Sequence, residues 1–294
     1  MNSKTEPANE LELCKQEVAQ LKRENQELIR NLYKLNEKLR DSERLKGHFI
    51  SNITNEIVNP FTSVLALTEN IKQLNDGEMQ QAHRMADLIF EEAFHLDFQL
   101  KNIFAAAMIE AGKTGVNYSV IRISELSDHI RQYFKNQLSK QNIRLAVRLL
   151  NGMNPDSAIS FTSDKEKLEM ILKNLISNSI KYSPEGSVIE LDFILEKGIL
   201  SVEVSDHGKG IDPLERTVVF DRFKQLDEKI NSINTGHGLG LSIVQAYTEL
   251  LGGKVSINEN TEGGIRVAVS LSESGETGDW DDLEDFLMDT EASY

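Results

Sequence analysis

The sequence predicts an all-α N-terminal part followed by an α+β domain, and three observations support this prediction. Apolar residues between Leu11 and Leu39 are spaced alternately by three and four positions, which is typical of a coiled coil. Two amphipathic segments on either side of a turn at 75–78 then predict a helical hairpin. Beyond residue 113, helical segments alternate with paired runs of β-branched residues, and this alternation indicates an α+β layer.

The coiled-coil stem is expected over residues 11–44, after a disordered segment at 1–10. Its apolar seam consists of Leu11, Cys14, Val18, Leu21, Leu28, Leu32, Leu35 and Leu39. Asn25 occupies an a position of the same seam, where a buried amide pairs best with its own copy in a parallel two-stranded coil. We therefore expect a parallel homodimer. The alternative is a single amphipathic surface helix.

The helical hairpin is expected over residues 45–112. Pro60 lies inside its first helix, where a proline removes a backbone hydrogen bond, so a bend is predicted near 56–60. The second helix is predicted from Met79 to Ala111. Two hairpins, one from each protomer, would form a four-helix bundle in the dimer.

The α+β domain is expected over residues 113–271. One helix is predicted over residues 163–183, with Ser163 or Asp164 as its N-cap. Another helix is predicted to begin within the glycine-rich sequence GLGLSIV. Two β-hairpins are predicted to turn at the sequences EKG and ENTEGG.

The charge of the chain favours proteins or nucleotides as partners. The net charge is −15, and the tail at 272–294 holds nine acids and no base, so the tail contributes −9 and the remainder −6. Such a chain is expected to repel nucleic acid and anionic lipid, because both are bound through clustered lysine and arginine. The acidic tail is either disordered or a short motif that folds on a partner or on the chain's own α+β domain.

The composition also bears on the compartment. No stretch approaches 18 uncharged apolar residues, and the N-terminus lacks the pattern of a secretion signal. The single cysteine, Cys14, cannot form a disulfide within the chain, which agrees with a reducing compartment. We therefore expect a cytoplasmic protein without a membrane span.

The first cluster with possible chemistry lies on the helix predicted over 163–183. Asn174, Asn178 and Lys181 are spaced i, i+4 and i+7, so they share one side of that helix. Two amides and an ammonium group in a row could hold a hydrated Mg²⁺ ion and a phosphate. Taken alone, such a row is also typical of a solvated helix face.

Two glycine-containing clusters follow. Asp206 stands directly after a strand and is followed by Gly208 and Gly210, which let the backbone turn beneath a flat ring while the carboxylate accepts an exocyclic amine. The sequence TGHGLGLSIV at 235–244 opens a helix whose free N–H groups can receive phosphate oxygens. Each cluster by itself could be an ordinary turn.

Together, in this order, the clusters resemble the ATP-binding domain shared by sensor histidine kinases, gyrase-type topoisomerases and Hsp90-type chaperones. Asn174 and Asn178 match the N box, Asp206 and Gly210 the first glycine box, and 236–240 the second glycine box. The sequence VFDRFKQ matches the F box and, with a short lid at 224–236, is similar to the histidine kinase branch.

This resemblance implies a GHKL-type, or Bergerat-type, α+β sandwich that binds ATP and Mg²⁺. It implies that Asn174 and Asn178 hold the Mg²⁺ ion. The implied nucleotide-binding residues are Asn174, Asn178, Lys181, Tyr182, Asp206, Gly208, Gly210, Ile211, Phe220, Arg222, Phe223, Gly236, His237, Gly238, Leu239, Gly240 and Leu241.

The hairpin resembles the HisKA-type dimerisation and phosphotransfer domain of the same kinases, whose first helix carries a motif of the form His-Glu-x-x-Thr/Asn-Pro. Here the matching stretch contains Glu56, Asn59 and Pro60, but Asn55 stands at the phosphate-accepting position. An amide nitrogen is delocalised and is not nucleophilic, whereas a neutral imidazole is. We therefore expect no autophosphorylation at this position. The family commonly has a basic residue where Val58 stands, so the departure from the motif is not confined to Asn55. This argues mildly against a single histidine-to-asparagine substitution made on purpose.

Three functions remain open at this point. The resemblance implies that Asn59, with Glu56, could orient a water molecule that removes phosphate from a response-regulator receiver domain. Alternatively, the chain is a pseudokinase that binds a receiver domain or another histidine kinase. A third reading is an active kinase that uses a different histidine such as His48, seven residues before Asn55.

Overall fold

The computed structural model describes residues 6–75, 77–151, 160–213, 215–216, 219–220, 238–260 and 263–273. The chain divides into two compact units, residues 1–59 and 60–294. No helix in the described residues is long and apolar enough to cross a membrane.

The first unit lies within helix α1, Glu6–Lys72, which continues through Pro60 into the second unit. Residues 6–10 of the segment expected to be disordered are helical, and residues 1–5 lie outside the described residues. The predicted seam residues with described side chains are exposed along this chain, for example Leu28 at 63% and Leu32 at 64%. The coiled coil therefore stays a prediction.

The second unit begins with the end of α1 and with helix α2, Met79–Glu110, whose bounds match the prediction closely. A turn joins the two helices where the sequence predicts one. Glu78 closes it by accepting hydrogen bonds from the Asn75 backbone N–H at 2.8 Å and from its side-chain amide at 3.1 Å. The four-helix bundle would need a second copy and stays a prediction.

The α+β part of the second unit follows α2. In chain order its elements are β1 Ser119–Arg122, α3 Ile123–Tyr133, α4 Lys135–Lys140, β2 Arg144–Asn151, β3 Ser160–Ser163, α5 Lys165–Tyr182, β4 Val188–Glu196, β5 Ile199–Ser205, α6 Gly240–Leu250, β6 Lys254–Glu259 and β7 Ile265–Ser272. Asp164 is the N-cap of α5, as one of the two predicted candidates, because its side chain accepts a hydrogen bond from the Lys167 N–H at 3.1 Å.

Most described strands form one mixed sheet in the order β2-β4-β5-β7-β6. The two predicted hairpins, β4–β5 and β6–β7, are antiparallel, but β2 pairs with β4 in parallel, which the sequence analysis did not predict. It also did not predict the small antiparallel sheet formed by β1 and β3. The α+β class is thus confirmed, with a mixed rather than purely antiparallel sheet.

The core lies between one face of the large sheet and helices α3, α5 and α6. Alternate residues of the central strands are fully buried and apolar, as a sheet covered on that face requires. The side chains with the least exposure include Ile123, Leu126, Ile130, Leu168, Ile171, Leu172, Ile189, Leu191, Phe193, Leu200, Val202, Val244, Val269 and Leu271. This core fixes α5 and α6 side by side above the strands, with the end of β5 beside them.

Candidate nucleotide-binding site

The carboxylate of Asp206 is buried and held in place by the chain around it. Its Oδ1 accepts from the Gly208 N–H at 2.9 Å, and its Oδ2 accepts from the Ser179 hydroxyl at 3.2 Å. The Asp206 N–H donates to the Ile265 carbonyl at 2.9 Å, and the Asn260 amide donates to the Asp206 carbonyl at 3.0 Å. Since each carboxylate oxygen has two lone pairs, Asp206 can still accept a further donor.

Close backbone contacts around Asp206 require glycine. A Cβ at Gly208 would lie 2.8 Å from the Tyr182 carbonyl oxygen, and a Cβ at Gly264 would overlap the Asp206 carbonyl oxygen. Gly210 has φ +73°, a conformation that other residues rarely adopt. The loop after β5 is therefore pressed against the C-terminal end of α5, which brings the first glycine box next to the N box.

The N box and the second glycine box also meet. Asn174 on α5 is buried at 2% exposure, whereas Asn178 is half-buried and Lys181 exposed. A Cβ at Gly240 would lie 3.0 Å from Asn174 Oδ1 and 3.5 Å from Asn178 Nδ2. Because Gly240 is the first residue of α6, the start of that helix lies against both amides. Free N–H groups at a helix N-terminus favour an anion.

Two lysines flank the aromatic ring that ends α5. The ring of Tyr182 is 46% exposed, with Lys181 Nζ 5.1 Å and Lys209 Nζ 5.6 Å from its centroid. His207 Nδ1 lies 2.9 Å from the Val188 carbonyl oxygen, which can only accept, so this nitrogen carries the proton. The predicted residues at this edge of the domain thus combine an acceptor carboxylate with positive charge.

The remaining predicted residues divide between described and undescribed parts of the chain. Gly238 has φ +64°, Leu239 is buried, and Leu241 and Phe220 are half-buried. Ile211 accepts a hydrogen bond from Arg216 Nε at 3.4 Å through its carbonyl. Predictions for Arg222, Phe223, Gly236, His237 and the lid at 224–236 lie outside the described residues.

These groups fit ATP with Mg²⁺. A fixed carboxylate suits an exocyclic amine, amide oxygens suit a hydrated magnesium ion, and a glycine-started helix with nearby lysines suits phosphates. Among the described residues, no group of three histidine, cysteine, aspartate or glutamate side chains could hold a metal ion. The described residues of the three predicted clusters lie next to one another.

Three residues at this site were missed by the sequence analysis: Ser179, Asn260 and Asn102. Ser179 and Asn260 fix Asp206, as described above. Asn102 lies on α2, and its Oδ1 accepts a hydrogen bond from the Asn174 side-chain amide at 2.9 Å. The signal for Asn102 was a polar residue within the apolar pattern of α2, but the pattern does not show which domain would cover it.

The stretch that resembles the phosphotransfer motif lies within α1. The side chains of Asn55 and Glu56 are outside the described residues, as is that of His48. Asn59 is exposed and Pro60 is half-buried. The helix assignment at 55–60 agrees with the predicted secondary structure, and the roles of these residues stay predictions.

Part of the chain matches a known family of ATPases. Residues 163–275 match the family described as Histidine kinase-, DNA gyrase B-, and HSP90-like ATPase. The chain is 29% identical over 260 residues to hybrid signal transduction histidine kinase D of Dictyostelium discoideum, covering 86% of this chain and 16% of that protein. It is 27% identical over 234 residues to the autoinducer 2 sensor kinase/phosphatase LuxQ of Vibrio cholerae, covering 79% of this chain and 27% of that protein.

A solved structure shows the same fold. Full-length ShkA, crystallised in complex with AMPPNP, aligns with a TM-score of 0.54 and 20% identity, covering 76% of this chain and 46% of that one. The chain therefore contains a histidine kinase-like ATPase domain and is similar in sequence to sensor histidine kinases of two-component signalling. It spans between about a sixth and a quarter of the length of the two curated relatives above.

Proposed function

We propose that the α+β domain binds ATP with Mg²⁺, with Asp206 accepting the exocyclic amine of the adenine. The observation that carries this proposal is the buried Asp206 carboxylate beside the amides of α5. Its two oxygens accept hydrogen bonds from the Ser179 hydroxyl and the Gly208 N–H, and two further bonds hold its backbone. Asn174 and Asn178 would hold the Mg²⁺ ion, and the start of α6 with Lys181 would receive the phosphates. Magnesium bound there would neutralise phosphate charge.

Asp206→Asn tests this assignment. Asparagine has the same size, and the Ser179 hydroxyl can accept as well as donate, so the fold should be retained. Replacing one acceptor oxygen with a donor should weaken binding of Mg·ATP about tenfold or more, measured by isothermal titration. Asp128→Asn, an exposed acid on α3, is the control. Equal affinities for the wild type and Asp206→Asn would refute the role of Asp206.

We further propose that the chain acts in two-component signalling and does not autophosphorylate at Asn55. The amide at this position lacks a nucleophilic lone pair, so incubation with γ-labelled ATP should leave the wild type unlabelled. Asn55→His should acquire acid-labile label if the ATP-binding domain is competent. Label on the wild type that is lost in His48→Gln would instead support the kinase that uses His48.

A second candidate function is a phosphatase that acts on a receiver domain, and Asn59 is the residue that supports it. Its side chain is exposed on α1, and the chain is similar to LuxQ, whose name includes phosphatase. Asn59 and Glu56 would orient a water molecule whose oxygen attacks the aspartyl phosphate; the P–O bond to aspartate breaks and inorganic phosphate leaves. The wild type should speed dephosphorylation of a cognate receiver, and Asn59→Ala should not. An unchanged decay rate with wild-type protein would exclude this activity.

The competing proposal is a pseudokinase that only binds a receiver domain or another histidine kinase. It predicts that nucleotide changes the affinity of the chain for this partner while the partner's phosphate is untouched. Titrating the partner with and without Mg·ATP separates the two proposals. An affinity that does not respond to nucleotide would rule out the binding module.

A further inference from the structure

Helix α2 and the N box share a buried pair of amides. Asn102 on α2 is 4% exposed and Asn174 on α5 is 2% exposed. The Asn174 Nδ2 donates to Asn102 Oδ1 at 2.9 Å and also to the Met170 carbonyl at 2.9 Å. A side-chain amide has two N–H hydrogens, so both donors of Asn174 are used.

These two bonds set the direction of the other end of the Asn174 amide. With its nitrogen held by Asn102 and by its own helix, Asn174 directs Oδ1 toward the start of α6, where a Cβ at Gly240 would lie 3.0 Å away. The oxygen is the atom of an amide that can bind a cation or accept a donor. A flipped amide would present two hydrogens to the site instead.

The contact is one part of a longer docked face of α2. Glu91 pairs with Lys140 at 2.7 Å, and the ring of Phe94 lies 4.5 Å from that of Tyr133. Lys173, the residue before Asn174, places its Nζ 4.0 Å from the centroid of the same Tyr133 ring. Residues 91, 94, 98, 102 and 105 recur at helical spacing, so one face of α2 packs along the α+β domain.

The Asn102–Asn174 pair is the polar part of this face that lies next to the candidate nucleotide-binding site. Phe98 and Ala105, one turn to either side of Asn102, are buried at 7% each. An unpaired amide among apolar side chains is costly, so the orientation of Asn174 depends on the presence of α2. Separation of α2 would leave one hydrogen of Asn174 without its partner.

We propose that Asn102 is a positioning residue that orients Asn174 for Mg·ATP, so that docking of α2 and nucleotide binding favour each other. The proposal rests on the ATP binding proposed above. Coupling of this kind is reciprocal: docked α2 raises nucleotide affinity, and bound nucleotide raises the equilibrium constant for docking of α2 by the same factor. The hairpin helix is thereby a reporter of nucleotide occupancy.

The test is a double-mutant cycle on nucleotide affinity. Asn102→Leu keeps the branched shape of the side chain and removes the acceptor, and should weaken Mg·ATP binding roughly three- to tenfold. In an Asn174→Ala background the same change should have no effect, because Asn102 acts through Asn174. Lys101→Ala, an exposed neighbour on α2, is the control and should match the wild type. Asn102→Ala replaces the leucine variant if circular dichroism shows that the latter is unfolded.

A second measurement follows α2 itself. Mg·ATP should slow amide hydrogen exchange at residues 98–105 of the wild type, and this protection should be lost in Asn102→Leu. Unchanged affinity in Asn102→Leu, or an equal loss in the Asn174→Ala background, would overturn the proposal while leaving ATP binding intact. A wild type that binds no nucleotide would overturn both.

Discussion

Two adjacent glycines at the turn before β7 are required for different reasons. Both have a backbone conformation that is strained for other residues, but only the second is also in close contact with another residue. Gly263 and Gly264 have φ +92° and +90°, but a Cβ at Gly263 meets nothing within 4 Å, whereas one at Gly264 overlaps the carbonyl oxygen of Asp206. Gly263→Ala therefore introduces strain alone. Gly264→Ala adds a collision with Asp206, the central residue of the proposed nucleotide site.

We expect Gly264→Ala to cost about 1–3 kcal/mol more unfolding free energy than Gly263→Ala, measured by urea denaturation. It should also reduce nucleotide affinity, because relief of the collision displaces Asp206. Gly263→Ala should keep the wild-type affinity. Equal stabilities for the two variants would mean that the turn shifts freely and that Asp206 does not depend on it.

Among individual residues, the sequence identifies the candidate site residue Asp206 but not the residues that hold it in place. Asp206 is identifiable from the glycines that follow it in the chain. Ser179 and Asn260, which fix it, stand 27 and 54 residues away. Their roles arise from tertiary contacts, and neither residue has a local pattern that distinguishes it from an ordinary polar residue in a helix or a turn.

Among the elements, the β4–β5 hairpin carries an identifiable local strain. Its two-residue loop, Lys197–Gly198, has φ +49° and +78°, so a lysine occupies a left-handed conformation. Such a loop matches the twist of the strands but favours asparagine at its first position. Asn142, at φ +53°, shows the favoured residue type in the same conformation.

Lys197→Asn should therefore raise the free energy of unfolding by about 0.5–1 kcal/mol, measured by chemical denaturation. The reverse exchange at the other position, Asn142→Lys, should lower it by a similar amount. Nucleotide affinity should be unchanged by Lys197→Asn. Loss of stability in Lys197→Asn would show that the lysine makes a compensating contact.

The strands of the large sheet also carry a row of paired charges. Arg148 on β2 forms a bidentate ion pair with Asp192 on β4, with Nε and Nη2 at 2.6 and 2.5 Å from the two carboxylate oxygens. Asp192 is in register with Glu203 on β5, and Arg266 Nε lies 3.8 Å from the Glu203 carboxylate. Burial raises the pKa of Glu203, and this outweighs the opposing effect of Arg266.

A raised pKa in the folded state means that ionisation of Glu203 costs stability. This cost is absent below the pKa of an unfolded glutamate and develops as pH rises through the folded-state pKa. Glu203→Gln should thus be more stable than the wild type at neutral pH, and the difference should vanish in acid. Urea denaturation at a series of pH values measures it. Greater stability of the wild type at pH 7 would show that the pair with Arg266 dominates.

The elements were predicted unevenly, for physical reasons. Hairpins and the capped helix α5 carry local signals, and they lie where the sequence predicts them. The parallel pairing of β2 with β4 and the short β1–β3 sheet depend on contacts between distant segments. Helices α3 and α4, which follow β1, are separated only at Phe134, whose ring is buried in the core.

For the whole molecule, the predicted parallel homodimer depends on the stem. Leu32 occupies an a position of the seam and Tyr33 the adjacent b position, and both are exposed on the single chain, at 64% and 74%. Leu32→Glu would bury a charge opposite its own copy in a dimer, whereas Tyr33→Glu would place one in solvent. The two variants therefore introduce the same charge on different faces of the helix, one in the predicted seam and one outside it.

Leu32→Glu should convert dimer to monomer in sedimentation or light-scattering measurements, and Tyr33→Glu should remain a dimer. Circular dichroism should show reduced helix content for Leu32→Glu alone, because long helices without a partner are marginal in water. A wild-type monomer at micromolar concentration would contradict the stem prediction.

The parallel pairing of β2 with β4 has a consequence for the order of folding. The two hairpins join strands that are adjacent in sequence and can form early, but Arg148 and Asp192, which β2 and β4 bring together, are 44 residues apart. Closing so long a loop is slow. Helix α5 lies in that loop, so Asn174 and Asn178 reach their final positions only when this late pairing is made. We therefore expect the proposed nucleotide site to be among the last parts of the domain to form in a newly made chain.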